Sequence, residues 1–132
     1  MVAAANVQVL SAAYMAFVRG DIPAVLSAFA PDIDWYVPGP AEAPYAGRRR
    51  GREDVHRFFR ELASTVEFKV FEPREFVAQG DRVMALGHYE GRVRATGKVF
   101  SIEWVMGWRM RDGKAVAFRE YTDTQALGAA FR

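Results

Sequence analysis

The sequence predicts an α+β fold in one domain, with helices gathered ahead of a curved, mostly antiparallel sheet. Three observations carry that expectation. In the first half of the chain, apolar residues recur at three-to-four spacing, the period of a helix with one buried face. After Thr65 the period falls to two, as in strands that send alternate side chains to opposite faces. Asp112-Gly113 also stands between two alternating runs, a dipeptide that favours the tight turn of a β-hairpin. Helices first and a strand meander afterwards make an α+β architecture.

Residues 6–19 read as the first helix, with Val7, Leu10, Tyr14, Phe17 and Val18 on one stripe. Gly20 ends it, since glycine tolerates the left-handed turn after a helix. Asp21 then caps a short second helix with Pro23 in its first turn, continuing over 24–30. Pro31-Asp32 breaks the pattern, and 33–37 is a short strand. The segment 38–51, rich in Pro, Gly and Ala, reads as a loop holding Tyr45 and Arg48, Arg49 and Arg50. A third helix covers 52–64 with Val55, Phe58, Phe59 and Leu62 inward.

The remainder is extended. One long strand spans 66–79 and bends at Pro73, which cannot donate to a ladder. Gly80-Asp81 turns the chain into a strand over 82–94, and Thr96-Gly97-Lys98 turns it into the Asp112-Gly113 hairpin. Asp123 caps a closing helix that runs to Phe131. In the hairpin, Phe100, Ile102, Trp104, Met106, Trp108 and Met110 share one face of the first strand. Val116, Phe118, Glu120 and Thr122 share one face of the second. A carboxylate among aromatics is paired, at a rim, or functional.

Bulk properties bound the function. The 132 residues, 51% hydrophobic, suffice for the core of one domain, 1–132. A formal net charge of +2 is too small to argue for nucleic-acid or membrane binding, and neither partner is expected. No cysteine is present, which excludes disulfides and thiolate chemistry. No apolar run approaches a membrane span, and the N-terminus lacks the basic flank and apolar core of a secretory signal, so a cytoplasmic location is the default.

Several segments, in their order and spacing, resemble a known superfamily. They are Arg19-Gly20-Asp21, the run from Ala30 through Trp35 to Pro38-Gly39, Tyr45-Ala46-Gly47 through Gly51, Arg111-Asp112-Gly113-Lys114, and Phe118 through Thr124. The chain resembles the nuclear transport factor 2-like superfamily, and within it the SnoaL-like, ketosteroid-isomerase-related proteins. The resemblance implies a cone-shaped fold, a curved sheet around helices, enclosing one apolar pocket and often paired as a homodimer. It fixes no reaction, because function lives in the site and not the fold.

Against steroid isomerases, the positions of the base, the oxyanion acid and the tyrosine fall on Val37, Met106 and Ala13, none of which moves a proton. Tyr14 neighbours Ala13 but lies about 100° around the helix. Against limonene-epoxide hydrolases, one acid position falls on Glu120, the other on Tyr89 and the arginine on Gly87. SnoaL-like cyclases often carry a histidine or aspartate at the Met106 position, and this chain departs from them too.

Glu120 is therefore the candidate acid or base, with Tyr89 or Tyr14 as its hydrogen-bonding partner. Phe17, Trp35, Val37, Phe59, Trp104, Met106, Trp108 and Phe118 are the candidate walls for a small apolar ligand. His56 and His88 lack metal-ligand spacing, so no metal site is expected; His88 is placed on the outer face of the sheet. Arg48, Arg49, Arg50 and Arg52 read as a solvated loop.

Two functions follow. One is a cofactor-independent isomerase, cyclase or hydrolase working by general acid–base catalysis on an apolar ligand. The other is a non-catalytic domain of the same shape that binds a hydrophobic molecule or dimerises. Nucleic-acid binding through the arginine run is a third and weaker reading, which binding insensitive to salt would remove.

Overall fold

The computed structural model describes residues 2–132. The element order is α1 (Val2–Arg19), α2 (Ile22–Ser27), β1 (Phe29–Val37), β2 (Gly47–Arg50), α3 (Arg52–Thr65), β3 (Val66–Gln79), β4 (Arg82–Val93), β5 (Val99–Arg111), β6 (Lys114–Thr122) and α4 (Thr124–Phe131). The six strands form one sheet in the order β2-β1-β6-β5-β4-β3. All neighbours are antiparallel except β1 and β6, which run parallel. The expected α+β class and mostly antiparallel sheet are what the structure shows. α1 packs on β3 and β4, α3 on β1, β2 and β3, and α4 on β5 and β4.

Local chemistry sets the boundaries. Asp21 and Asp123 each accept a backbone N–H from the first turn of the next helix, from Ala24 at 3.2 Å and from Ala126 at 2.9 Å. Such caps satisfy donors that the first helical turn leaves without partners. At the hairpin, Asp112 and Gly113 both have positive φ, 51° and 77°. That is the turn whose twist matches the flanking strands.

The structure corrects the sequence reading in five places. α1 begins at Val2, four residues earlier than expected, and it is uncharged from Val2 to Val18. By length and composition it is apolar enough to cross a membrane, contrary to expectation. Its inner face nevertheless buries Leu10, Ala13, Tyr14 and Ala16 in the fold. α2 stops at Ser27, so Phe29 and Ala30 belong to β1; Pro31-Asp32 marks a ladder irregularity inside that strand, not its start. The arginine run is no loop: 47–50 form β2, paired antiparallel to β1 at the sheet edge. Arg48 pairs with Asp34 at 3.0 Å, Arg49 with Glu61 at 2.5 Å, and Arg52 donates to the Phe29 carbonyl at 2.5 Å. Finally, a bulge opposite Arg109 and Met110 lets Ala115, not Val116, take the buried place below Phe118.

β3 carries two further irregularities, after Phe68 and after Pro73. The second is the expected bend at proline. The first leaves Lys69 without a ladder partner, which turns Phe68 and Phe71 to the same side although their parities differ. Bulges bend a strand and increase its twist, and here they help curve the sheet around the helices.

Candidate functional site

The inner face of the sheet is a grid centred on one acid. Across β5 and β6, Trp108 lies opposite Phe118, Met106 opposite Glu120 and Trp104 opposite Thr122. Trp35 lies beside Phe118 on the parallel neighbour, their rings stacked 3.9 Å apart. Helices α1, α3 and α4 close over this face and leave a cavity of about 70 Å³. Glu120 opens onto it from the sheet; Tyr14 and Phe17 come from α1, Phe59 from α3 and Leu127 from α4.

Of the expected wall residues, Phe17, Trp35, Val37, Phe59, Met106, Trp108 and Phe118 line the cavity, as do Tyr14 and Tyr89. Trp104 does not, and this corrects its assignment as a ligand contact. Its ring lies over Gly87 on β4, so close that a β-carbon there would overlap the indole. It stacks behind Tyr14 and Phe71, at 5.8 and 5.4 Å, as core. His88 lies on the outer face, bonded to Glu90 and Ser101, and His56 is exposed on α3.

Glu120 is 7% exposed, and no cation pairs with it among the described residues. Desolvation raises its carboxyl pKa to about 7, opposed only by a hydrogen bond from Tyr89. The Tyr89 hydroxyl sits 3.4 Å from Glu120 Oε2 and 3.3 Å from Thr122 Oγ1, both long contacts. Tyr14 is differently occupied. Its hydroxyl accepts from Trp108 Nε1 at 2.9 Å and donates to the Met106 sulfur at 3.1 Å, so its hydrogen-bonding capacity is spent within the wall. Burial holds the protons of both tyrosines well above the usual phenol range.

Ala13, Val37 and Met106 all border the cavity. The three positions that resembled the isomerase machinery therefore face the pocket, yet carry apolar groups. The hydrolase arginine position, Gly87, is sealed by Trp104 and by the Glu72 carbonyl, 2.5 Å from where a β-carbon would lie. An arginine side chain has no room at that position.

Sequence reasoning missed Tyr45, Phe68, Phe71 and Leu127 as wall residues. Phe71 was hidden by the Lys69 bulge, which breaks strand parity. Tyr45 lies in an aperiodic segment, where only the Tyr45-Ala46-Gly47 motif marked it.

Fold and site together define a class: a curved-sheet α+β domain whose helices enclose a small apolar pocket with one buried carboxyl. The chain belongs to the SnoaL-like domain family, whose model matches residues 10–118. Among solved structures, it is similar to a nuclear transport factor 2-like protein from Burkholderia xenovorans LB400, 38% identical over 100% of this chain and 99% of that one, with a TM-score of 0.90. Another from Burkholderia thailandensis E264 is 31% identical over 100% and 99%, with a TM-score of 0.88. TerC, co-crystallised with polyporic acid, is 30% identical over 96% and 98%, with a TM-score of 0.84. No curated protein matches the chain.

Proposed function

We propose that this protein transfers protons on a small, largely apolar ligand without a cofactor, with Glu120 as the general acid–base. The observation that carries the reading is a carboxyl with no cation beside it among the described residues, buried against an aromatic cavity that raises its pKa to about 7. Near neutral pH such a group is present in both forms, which suits it to take a proton and return it. In the step envisaged, the carboxylate removes a proton from the carbon next to a carbonyl. The C–H electron pair moves into the enolate, and the proton is then delivered to carbon from the same carboxyl. Because the hydrolase arginine position is sealed, proton transfer at carbon is favoured over epoxide opening. The co-crystallisation of TerC with polyporic acid supports a small organic molecule as the class of ligand.

The test needs no knowledge of the natural substrate. A panel of small enolisable ketones in D2O should show enzyme-dependent deuterium exchange at the α-carbon, followed by NMR. Glu120→Gln should lower that rate by roughly 100-fold or more. Exchange equal in the two proteins would sink the acid–base reading.

One observation favours the second reading, a non-catalytic hydrophobic-ligand or dimerisation module: the apolar residues at Ala13, Val37 and Met106 that face the cavity. Dimerisation would use the outer face of the sheet, where Met84 and Tyr121 are exposed. Binding of apolar molecules with no exchange on any ketone would put that reading ahead.

A further inference from the structure

Three tyrosines line the cavity, and they differ in what their hydroxyls already do. Tyr14 both accepts and donates within the wall. Tyr89 is divided between Glu120 and Thr122. Tyr45 has a residue exposure of only 5%, yet its hydroxyl has no hydrogen-bond partner among the described residues. Its oxygen is also not among the buried polar atoms sealed off without a partner, which places it against open space. A hydroxyl that lines the cavity and has no protein partner keeps its donor free, so it marks where an accepting ligand atom would gain a hydrogen bond.

The support of Tyr45 is firm. Its ring packs against Phe58 at 5.9 Å and Phe131 at 6.4 Å. The surrounding segment closes on itself through Ala43 N–H to the Pro40 carbonyl at 3.0 Å and Ala46 N–H to the Ala43 carbonyl at 3.2 Å. It is tied to the end of α4 by the Glu42–Arg132 ion pair. A donor fixed in this way binds without first being ordered, so little of its hydrogen bond is lost to immobilisation.

We propose that Tyr45 is the ligand-positioning donor of the cavity and that it receives a carbonyl oxygen, so the ligand is a compact ketone or aldehyde. The choice of a carbonyl, with its α-carbon turned toward Glu120, rests on the acid–base reading above; the donor role of Tyr45 does not. Burial and the charge on Glu120 both hold the Tyr45 proton in place, so it donates across the working pH range.

The experiment compares two ligands of nearly the same shape, cyclopentanone and methylenecyclopentane, which differ in carrying oxygen or CH2. Affinities are read by ligand-observed NMR for the wild type and for Tyr45→Phe, which keeps the ring against Phe58 and Phe131. The ratio of ketone to hydrocarbon affinity should fall about fivefold in the variant, the worth of one hydrogen bond, with the hydrocarbon bound as before. The carbonyl stretch of bound cyclopentanone should also move to higher frequency when the donor is removed. An unchanged ratio, an equal loss for both ligands, or failure of the wild type to bind either would overturn the proposal. Loss of ketone exchange in Glu120→Gln is scored separately, so either idea can fall without the other.

Discussion

Alanine at position 87 should destabilise the fold by about 3 kcal/mol or more, lowering the melting temperature by roughly 10 °C. The reason is geometric. Gly87 pairs directly with Trp104 across β4 and β5, and the indole folds down over the glycine. A β-carbon there would overlap Trp104 Cζ2, with Cη2 at 2.7 Å and the Glu72 backbone carbonyl at 2.5 Å. The carbonyl belongs to β3, held in the ladder beside the Pro73 irregularity, and cannot swing aside as a side-chain tip can. Gly107→Ala provides the contrast. Its nearest neighbours are the flexible end of Met84 at 3.3 and 3.4 Å, so the change should cost under about 1 kcal/mol. Urea unfolding of the two variants checks the pair, and equal costs would show that Trp104 can move.

Glu120→Gln should make the protein more stable at pH 8 by about 3 kcal/mol, while the two proteins should be alike at pH 4. The carboxyl pKa is raised from an ordinary 4.5 to about 7 in the fold. Below the ordinary value both folded and unfolded chains hold the proton, and the group contributes no difference. Between 4.5 and 7 the unfolded chain has released its proton while the folded one retains it. Stability therefore falls as pH rises through that window and is level above it, as far as this group is concerned. Tyr14, Tyr45 and Tyr89, the titratable groups that face Glu120, keep their protons throughout. Glu42 and Glu67, lowered by hydrogen bonds that include Arg132 and Arg92, act in the opposite sense, but they are common to both proteins. Unfolding free energies at several pH values, taken as a difference between the proteins, isolate Glu120.

Much of the site was legible because strand alternation assigns faces without any knowledge of the fold. That grouped Met106 with Trp108 on β5 and Phe118 with Glu120 on β6, and the bulge beside Met110 brings the two groups to the same side of the sheet. Alternation fixes the face but not the position along it, which is why Trp104 reads as a wall from sequence. Its place opposite Gly87, where it fills the missing side chain, depends on ladder register between distant segments. Bulges defeat the same reasoning at Phe71 and Val116, since each extra residue reverses parity beyond it. β2 escaped notice because Arg48, Arg49 and Arg50 show no alternation of polarity; its strand character comes from edge pairing to β1. Tyr45 shows the limit most plainly, since a loop residue is carried into a pocket by tertiary packing alone.

Whether proton transfer is open to this site depends on the state of one carboxyl, and carbon NMR can read it directly. The Glu120 side-chain carboxyl signal, assigned by its absence in Glu120→Gln, should titrate with a midpoint near pH 7. A midpoint near 4.5, the ordinary carboxyl value, would mean that the carboxylate is hydrated or paired in solution, and the proposed proton-transfer role would be contradicted.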